Sequence, residues 1–233
     1  MNTAALVAAN AARWSKVKVQ AAKGASFRAI ARRLVAAKDR YQAVSKLTGV
    51  PWHVIAVIHE REASQRWDAS IAQGDPWARV STHVPKGRGP FASWQAAAVD
   101  ALVNCAPYAA KWKDWSPGGT MTLLEQYNGL GYANRGRPSP YIWAGTDQYV
   151  RGKYVADGKY DPNVVDSQPG CAGLLLAMAG IDTSVADGLG QRSASPPAEP
   201  APASAPPAKP SITNPAPGSL GAWIVALFKR SFS

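Results

Sequence analysis

The sequence predicts a mainly α-helical (α+β) fold, in which a helical body and a small β-hairpin lobe face each other across a cleft. Apolar residues recur at helical spacing through the first 47 residues, and a strongly apolar helix follows at 51–64. The segment 71–91 is instead polar and rich in turn residues, with short β-prone pieces typical of a hairpin or an irregular lobe. The 233 residues, 46% of them hydrophobic, suffice for a core of about 150–180 residues, so we expect one domain with a tail.

The N-terminal residues 1–49 predict two basic helices, at 2–22 and 26–47, that pack on the rest of the domain. Most of the net charge of +11 lies here, because ten Lys and Arg residues are balanced by one acid, Asp39. The simplest interpretation is a solvated helical face, but such a face also suits nucleic acid, an anionic membrane or an anionic polymer such as peptidoglycan. The start of the chain has no basic stretch before its apolar residues and is a poor secretory signal.

The stretch 51–64 predicts a buried helix with two glutamates at its C-terminal end. Pro51 suits the first helical turn, and the apolar residues after it cover most of the helix circumference. Glu60 and Glu62 then follow at the C-terminal end, where the negative end of the helix dipole raises carboxyl pKa values and costs stability. A carboxyl group kept protonated near neutral pH is what a general acid needs, so this cost suggests a use.

The elements after this helix are predicted from caps, apolar runs and composition. Ser93 is a plausible N-cap for a helix, and further helices are predicted at 120–127 and 162–178. The segment 128–160 between them is rich in Gly, Pro and aromatic residues and is predicted to be a loop. We expect residues 50–192 to form one catalytic domain.

The composition changes sharply near residue 193. Residues 193–218 contain nine prolines and seven alanines, which is typical of an extended and semi-rigid linker. The final segment, 219–233, holds an apolar run followed by Lys229 and Arg230. Because that run is shorter than the roughly 20 residues that cross a bilayer, either a membrane-surface anchor or a segment docked on the domain fits it.

Two carboxylates suggest glycosidic chemistry, which usually requires one carboxylic acid to protonate the leaving oxygen and often a second carboxylate. Glu62 comes from the end of a rigid helix and Asp75 from the turn-rich lobe, so the cleft would lie between them. Thr82, seven residues after Asp75, offers a hydroxyl that can hold a water. Glu60 competes with Glu62 for the role of acid, but residues two apart on a helix point about 200° apart, so only one of them faces the cleft.

These residues carry a family resemblance. The helix end at 57–64 resembles the segment that bears the catalytic Glu-Ser signature of lysozyme-like muramidases and lytic transglycosylases, with Glu62 at the catalytic position and Ala63 inserted before Ser64. Residues 126–132 are similar to the Tyr-Asn-Ala-Gly motif of the transglycosylases, which lies across the same cleft. The segment 87–91 stands where that family has Gly-Leu-Met-Gln and does not match it.

The order of the elements also resembles that of phage-type lysozymes, in which Glu, Asp and Thr form the site. Here Glu62, Asp75 and Thr82 are separated by 13 and 7 residues, which is longer than in that family. The resemblance covers roughly residues 50–180 and rests on the order of motifs, since no one motif is specific. It implies a lysozyme-like fold with Glu62 as general acid, Asp75 as base or electrostatic stabiliser, and Thr82 as a water-positioning residue.

Several side chains are candidates for binding the sugar. Trp77 and Tyr132 lie in polar segments, and an aromatic face suits stacking on sugar rings, although core packing is the default for any one of them. Tyr127 and Asn128 belong to a Tyr-Asn-Gly turn, in which the amide can contact an N-acetyl group or simply form the turn. Glu60 is the further substrate-contact candidate.

Other chemistries fit the sequence less well. No second histidine stands at helical spacing from His59, so a zinc site of the HExxH type is not indicated. Cys105 and Cys171 lie in apolar segments and are predicted to be buried free thiols rather than nucleophiles, with a single disulfide left open. Neither a P-loop nor a dinucleotide-binding glycine pattern occurs, and no metal or organic cofactor is implied.

The sequence thus leads us to expect a peptidoglycan-degrading endolysin that hydrolyses the β-1,4 bond between N-acetylmuramic acid and N-acetylglucosamine. It would be a monomer, made in a host cytoplasm and active on the cell wall in the periplasm, with no nucleic-acid partner. A lytic transglycosylase that needs only one Glu is the alternative enzyme. A non-catalytic cell-wall or nucleic-acid binding protein that uses the basic helices is the alternative from another class.

Overall fold

Nine α-helices dominate the computed structural model, which describes residues 2–156 and 158–190. The helices are α1 (Thr3–Trp14), α2 (Gly24–Ala36), α3 (Lys38–Thr48), α4 (Trp52–Ala63), α5 (Trp94–Val103), α6 (Pro117–Asn128), α7 (Pro140–Trp143), α8 (Cys171–Ala179) and α9 (Thr183–Gly188). Two short strands, β1 (Lys153–Ala156) and β2 (Lys159–Asp161), pair antiparallel. The predicted mainly α class with a small β-hairpin is therefore confirmed.

Helix α4 runs through the centre of the described residues, and every residue from Trp52 to Arg61 is buried. The helix begins directly after Pro51, whose extended backbone leads into the first turn. It ends at Ser64, which adopts a left-handed conformation and donates its backbone N–H to the carbonyl of Glu60. Helix α3 packs against α4, α8 packs against both α2 and α4, and α1 packs against α6. The helix that carries the predicted acid is thus enclosed by its neighbours.

The hairpin lies at a different place from the predicted one. Strands β1 and β2 fall inside 128–160 and its edge, which was predicted to be a loop, whereas 71–91 is irregular with one isolated bridge between Ala69 and Pro76. Pro76, Pro85 and Pro90 have no N–H to give to a ladder. The side chain of Ser81 instead donates to the carbonyl of Pro85 and accepts from the N–H of Arg88, so side-chain hydrogen bonds hold this lobe together.

Three predicted helix boundaries were also wrong. The first helix stops at Trp14, because the chain then runs along the segment that follows α7, where the Lys18 N–H donates to Asp147. The segment 26–47 divides into α2 and α3 at Ala37. The helix predicted to begin at 162 begins at Cys171, since the preceding residues bond back to the hairpin region through Val164.

Smaller features of the prediction hold. Ser93 caps α5 by accepting the N–H of Ala96, and Cys105 and Cys171 are buried free thiols. Within the described residues, no helix has both the length and the apolar character needed to span a bilayer. The predicted linker at 193–218 and the segment 219–233 lie outside the described residues.

Candidate active site

Glu62 lies at the end of α4, where three parts of the chain meet. The hydroxyl of Tyr141, on α7, donates a hydrogen bond of 2.8 Å to Glu62 Oε1. The loop after α4 packs on the Glu62 backbone at Gly74, where a Cβ atom would stand 2.7 Å from the Glu62 carbonyl oxygen. Only glycine fits there, since Gly74 also has a φ of +77°. The side chain of the predicted acid therefore contacts α7, and its backbone contacts the loop before Asp75.

Burial controls the protonation of Glu62. It raises the pKa of this carboxyl to about 7, although the hydrogen bond from Tyr141 and the charge of Arg61 lower it in part. The position at the C-terminal end of α4 acts in the same direction as burial, because the helix dipole disfavours a negative charge there. A substantial fraction of Glu62 therefore keeps its proton at neutral pH.

A cavity of about 480 Å³ opens beside Tyr141, between α6, α7 and the hairpin. Three tyrosines face it, and their neighbours supply polar groups. Its lining consists of Arg61, Asn128, Gly129, Gly131, Tyr132, Pro140, Tyr141, Lys153, Tyr154, Ala156, Gly158, Asp166 and Gln168. Aromatic surface combined with a few polar side chains is typical of a sugar-binding site.

Three charged side chains form one wall of this cavity. Asp166 accepts hydrogen bonds from Arg61 Nη2 at 3.3 Å and from Lys153 Nζ at 3.0 Å. Burial of Asp166 acts to raise the pKa of its carboxyl, but the charge of Arg61 and the hydrogen bond from Lys153 outweigh it and hold the pKa below the usual range. Arg61 also donates to the carbonyl of Pro169 and lies over the ring of Tyr141. This wall is therefore ionised and rigid.

Asp75 is held by its own loop. Its Oδ2 accepts the backbone N–H groups of Thr82 and His83 at 2.8 and 3.0 Å, and its Oδ1 lies 2.6 Å from His83 Nδ1. The backbone hydrogen bond from His83 is the largest of the effects that lower the Asp75 pKa to about 2. Asp75 is consequently ionised at any physiological pH. Thr82 contributes its backbone N–H to this arrangement, and its side chain is exposed.

The structure does not bring Glu60 to the cavity. Its carboxyl lies on the opposite side of α4 from Glu62, as the 200° rotation requires, and approaches Arg33 of α2 at 3.6 Å. Its side chain is 7% exposed. Burial raises the Glu60 pKa, and the charges of Arg33 and Arg61 lower it in part. Glu60 is therefore a buried carboxyl that pairs with Arg33, and not a substrate-contact residue.

The predicted sugar-binding residues divide into two groups. Asn128 and Tyr132 line the cavity. Tyr127 does not line the cavity: its hydroxyl donates to the carbonyl of Ile71 and braces the loop before Asp75. Burial, and to a lesser extent the charge of Glu62, raises the pKa of Tyr127 well above its usual value. Trp77 is also committed to structure, because its indole N–H donates to the carbonyl of Trp67.

Sequence reasoning missed several residues of this site. Lys153, Tyr154 and Asp166 come from segments that were predicted as loop or as the start of a helix, and Arg61 was not among the predicted site residues. The signal that could have located the hairpin is Asp157-Gly158 between two β-prone pairs, a sequence typical of a two-residue turn. No local signal joins Asp166 to Arg61, which are 105 residues apart.

Neither a metal nor a relative helps to identify the site. Across residues 2–156 and 158–190, no group of three or more His, Cys, Asp or Glu side chains is placed to hold a metal ion. No family model, curated protein or solved structure matches this chain.

Proposed function

We propose that this protein is a peptidoglycan-degrading glycosidase that cuts the β-1,4 bond between N-acetylmuramic acid and N-acetylglucosamine, with Glu62 as the general acid. One observation carries the proposal. A carboxyl group at the end of a buried helix has a pKa of about 7, and it is hydrogen-bonded to a tyrosine that lines a sugar-sized, tyrosine-rich cavity. A carboxylic acid that keeps its proton near neutral pH is suited to protonate a leaving oxygen.

The hydrogen bond from Tyr141 determines which oxygen of Glu62 acts. It occupies Oε1, and no other hydrogen bond to this carboxyl exists among the described residues. Oε2 is therefore the oxygen that carries the proton and delivers it to the glycosidic oxygen as the bond to the anomeric carbon breaks. Tyr132, Tyr154 and Asn128 line the space in which the sugar rings would stack and hydrogen-bond.

Asp75 is the candidate for the second carboxylate. It differs from Glu62 in the way that acid and base partners usually differ, since its pKa is about 2 whereas that of Glu62 is about 7. An ionised carboxylate beside the developing positive charge of the sugar stabilises the transition state. The contact of Gly74 with the Glu62 backbone supports this role, because it sets the loop that carries Asp75 against the end of α4.

A lytic transglycosylase is the second candidate, and the hydrogen bonds of Asp75 favour it. Two backbone N–H groups and the His83 ring already occupy the Asp75 oxygens, and a pKa of about 2 makes this carboxylate a weak base for activating water. A transglycosylase needs no such base, since the 6-hydroxyl of the sugar itself attacks the anomeric carbon. Glu62 would then serve alone.

Replacing Glu62 by Gln tests the shared step of both mechanisms. We expect the rate of glycan cleavage by Glu62→Gln to fall about 10²–10⁴-fold, because the amide cannot donate the proton. Glu60→Gln is the matched control: it changes the same residue type on the same helix, away from the cavity, and should retain most of the activity. The measurement is release of soluble muropeptides from purified peptidoglycan. Undiminished activity in Glu62→Gln would refute the assignment.

The products of the same digestion separate the two candidates. Hydrolysis adds one water molecule for each bond that is cut. Attack by the 6-hydroxyl adds none, so its anhydro product is lighter than the hydrolysis product by the mass of one water, about 18 Da. Intact-mass measurement of the wild-type products therefore identifies the reaction. Hydrated products together with a large loss of rate in Asp75→Asn support the two-carboxylate mechanism, and anhydro products support the mechanism that uses Glu62 alone.

A further inference from the structure

The charged wall of the cavity holds more positive than negative charge. Arg61 and Lys153 both bind Asp166, and among the lining residues that the structure describes no other side chain is charged. The Arg61 and Asp166 side chains are only 5% and 2% exposed, whereas Lys153 is 34% exposed, so the cation in excess of the buried pair is the one that a solute can reach. A cation at the rim of a partly enclosed cavity attracts an anion more strongly than a fully solvated one.

Arg61 also has an unused donor. Its Nη1 and Nη2 atoms donate to Pro169 and Asp166, but its Nε is buried and has no hydrogen-bond partner among the described residues. Lys153, which is 34% exposed at the rim, has two further ammonium hydrogens after its bond to Asp166. Buried donors without partners are rare in folded proteins, and this one leaves part of the Arg61 charge uncompensated in the wall, beside the accessible ammonium group of Lys153.

We propose that this cavity is a binding site for a carboxylate carried by the sugar substrate, held by the Arg61 and Lys153 side chains. The inference rests on the proposed function and deepens it. N-acetylmuramic acid differs from N-acetylglucosamine in its lactyl ether, which ends in a carboxyl group. A cationic wall beside a tyrosine-lined cavity therefore distinguishes the muramic sugar from its neighbour. In intact peptidoglycan the stem peptide blocks the lactyl carboxyl but supplies carboxylates of its own.

The position of Arg61 connects this contact to the cleavage step. Arg61 directly precedes Glu62, and its guanidinium lies over the ring of Tyr141, whose hydroxyl binds Glu62. A carboxylate bound here would hold the muramic ring in the cavity that Tyr141 lines, beside the hydroxyl that binds the acid. Asp166 acts as a positioning residue, since it fixes both cations and touches no substrate in this arrangement.

The test measures binding and needs no cleavage. Calorimetric titration of the full chain with N-acetylmuramic acid and with N-acetylglucosamine should show at least about tenfold tighter binding of the acidic sugar at low salt, weakening as salt is added. Lys153→Met, which keeps most of the aliphatic stem, should lose this preference, whereas Lys153→Arg should retain it. Lys159→Met is the matched control on the same hairpin, outside the cavity, and should behave like the wild type.

Each outcome decides the proposal. Equal affinity for the two sugars, or a preference that survives in Lys153→Met, overturns it. A third titration, with an N-acetylmuramyl dipeptide, identifies the source of the carboxylate: binding as tight as that of the free acid indicates the stem peptide, and weak binding indicates the lactyl group. The monosaccharides are not cut, so binding is measured independently of cleavage. A protein that binds the acidic sugar but releases no muropeptides would refute the proposed glycosidase activity and support the proposed carboxylate-binding site.

Discussion

The two glutamates at the end of α4 have opposite surroundings although they stand two residues apart. Glu60 turns toward α2, where the guanidinium of Arg33 approaches it at 3.6 Å. Glu62 turns toward α7 and receives a hydrogen bond from the neutral hydroxyl of Tyr141. Burial raises the pKa of both carboxyls. The difference between them is therefore the chemistry of the partner, a cation for Glu60 and a neutral hydroxyl from the cavity lining for Glu62.

This difference shows how one helix end can hold a structural carboxylate and a candidate acid. The nearest cation to Glu62 along the chain, Arg61, is committed to Asp166 and to the carbonyl of Pro169. Glu62 is left with a hydroxyl donor, which lowers its pKa less than burial raises it. A group kept partly protonated in this way costs folding stability at neutral pH, and the comparison with Glu60 can be tested through that cost.

The largest expected effect on stability comes from Glu62→Gln. The unfolded carboxyl ionises near 4.5, whereas the folded one keeps its proton up to about 7, so stability is full below pH 4.5 and is lost as the pH rises toward 7. At pH 8 the neutral amide avoids this loss and should stabilise the fold by up to about 3 kcal/mol. Denaturant unfolding of the wild type and of Glu62→Gln at pH 4 and pH 8 measures this difference in the free energy of unfolding. Glu60→Gln should show a smaller change, and an equal gain at both pH values for Glu62→Gln would contradict the account.

An intermediate effect is expected from Tyr141→Phe. Removing the hydroxyl removes a hydrogen bond that lowers the Glu62 pKa, so the carboxyl should keep its proton to higher pH. The alkaline limb of the cleavage profile should move upward by roughly one pH unit, because activity requires the protonated acid. Rate measurements from pH 5 to 9 test this shift. Tyr108→Phe, at an exposed position outside the cavity, is the control. A downward shift would show that the hydroxyl acts on Glu62 differently.

The smallest effect is expected from Arg33→Met, which removes the partner of Glu60. Because the Arg33 side chain is 59% exposed, its ion pair should contribute only about 0–1 kcal/mol to the free energy of unfolding. The cleavage rate should not change, since neither residue touches the cavity. Arg32→Met, an exposed neighbour with no ion pair among the described residues, provides the reference. A marked loss of cleavage in Arg33→Met alone would show that the two sides of α4 are coupled.

The parts of the fold that sequence reasoning located correctly depend on local interactions. The buried helix that ends at Glu62 follows from an unbroken apolar run, and the start of α5 follows from the side chain of Ser93, which bonds three residues ahead. The hairpin was misplaced because β-prone composition at 71–91 was given more weight than its prolines. The Asp-Gly pair at 157–158 is a usable sequence signal for a hairpin, which the prediction of a loop over 128–160 does not use.

By itself, the sequence determined that a glutamate stands at the end of an apolar helix and that a Tyr-Asn-Gly turn follows later in the chain. Only the tertiary structure decided that Glu62 meets Tyr141 of the cavity lining, 79 residues away, while Glu60 meets Arg33. The reason is physical. Desolvation and hydrogen bonding act over a few ångströms of space, so the protonation of a carboxyl depends on groups that the fold brings beside it, whatever their separation along the chain.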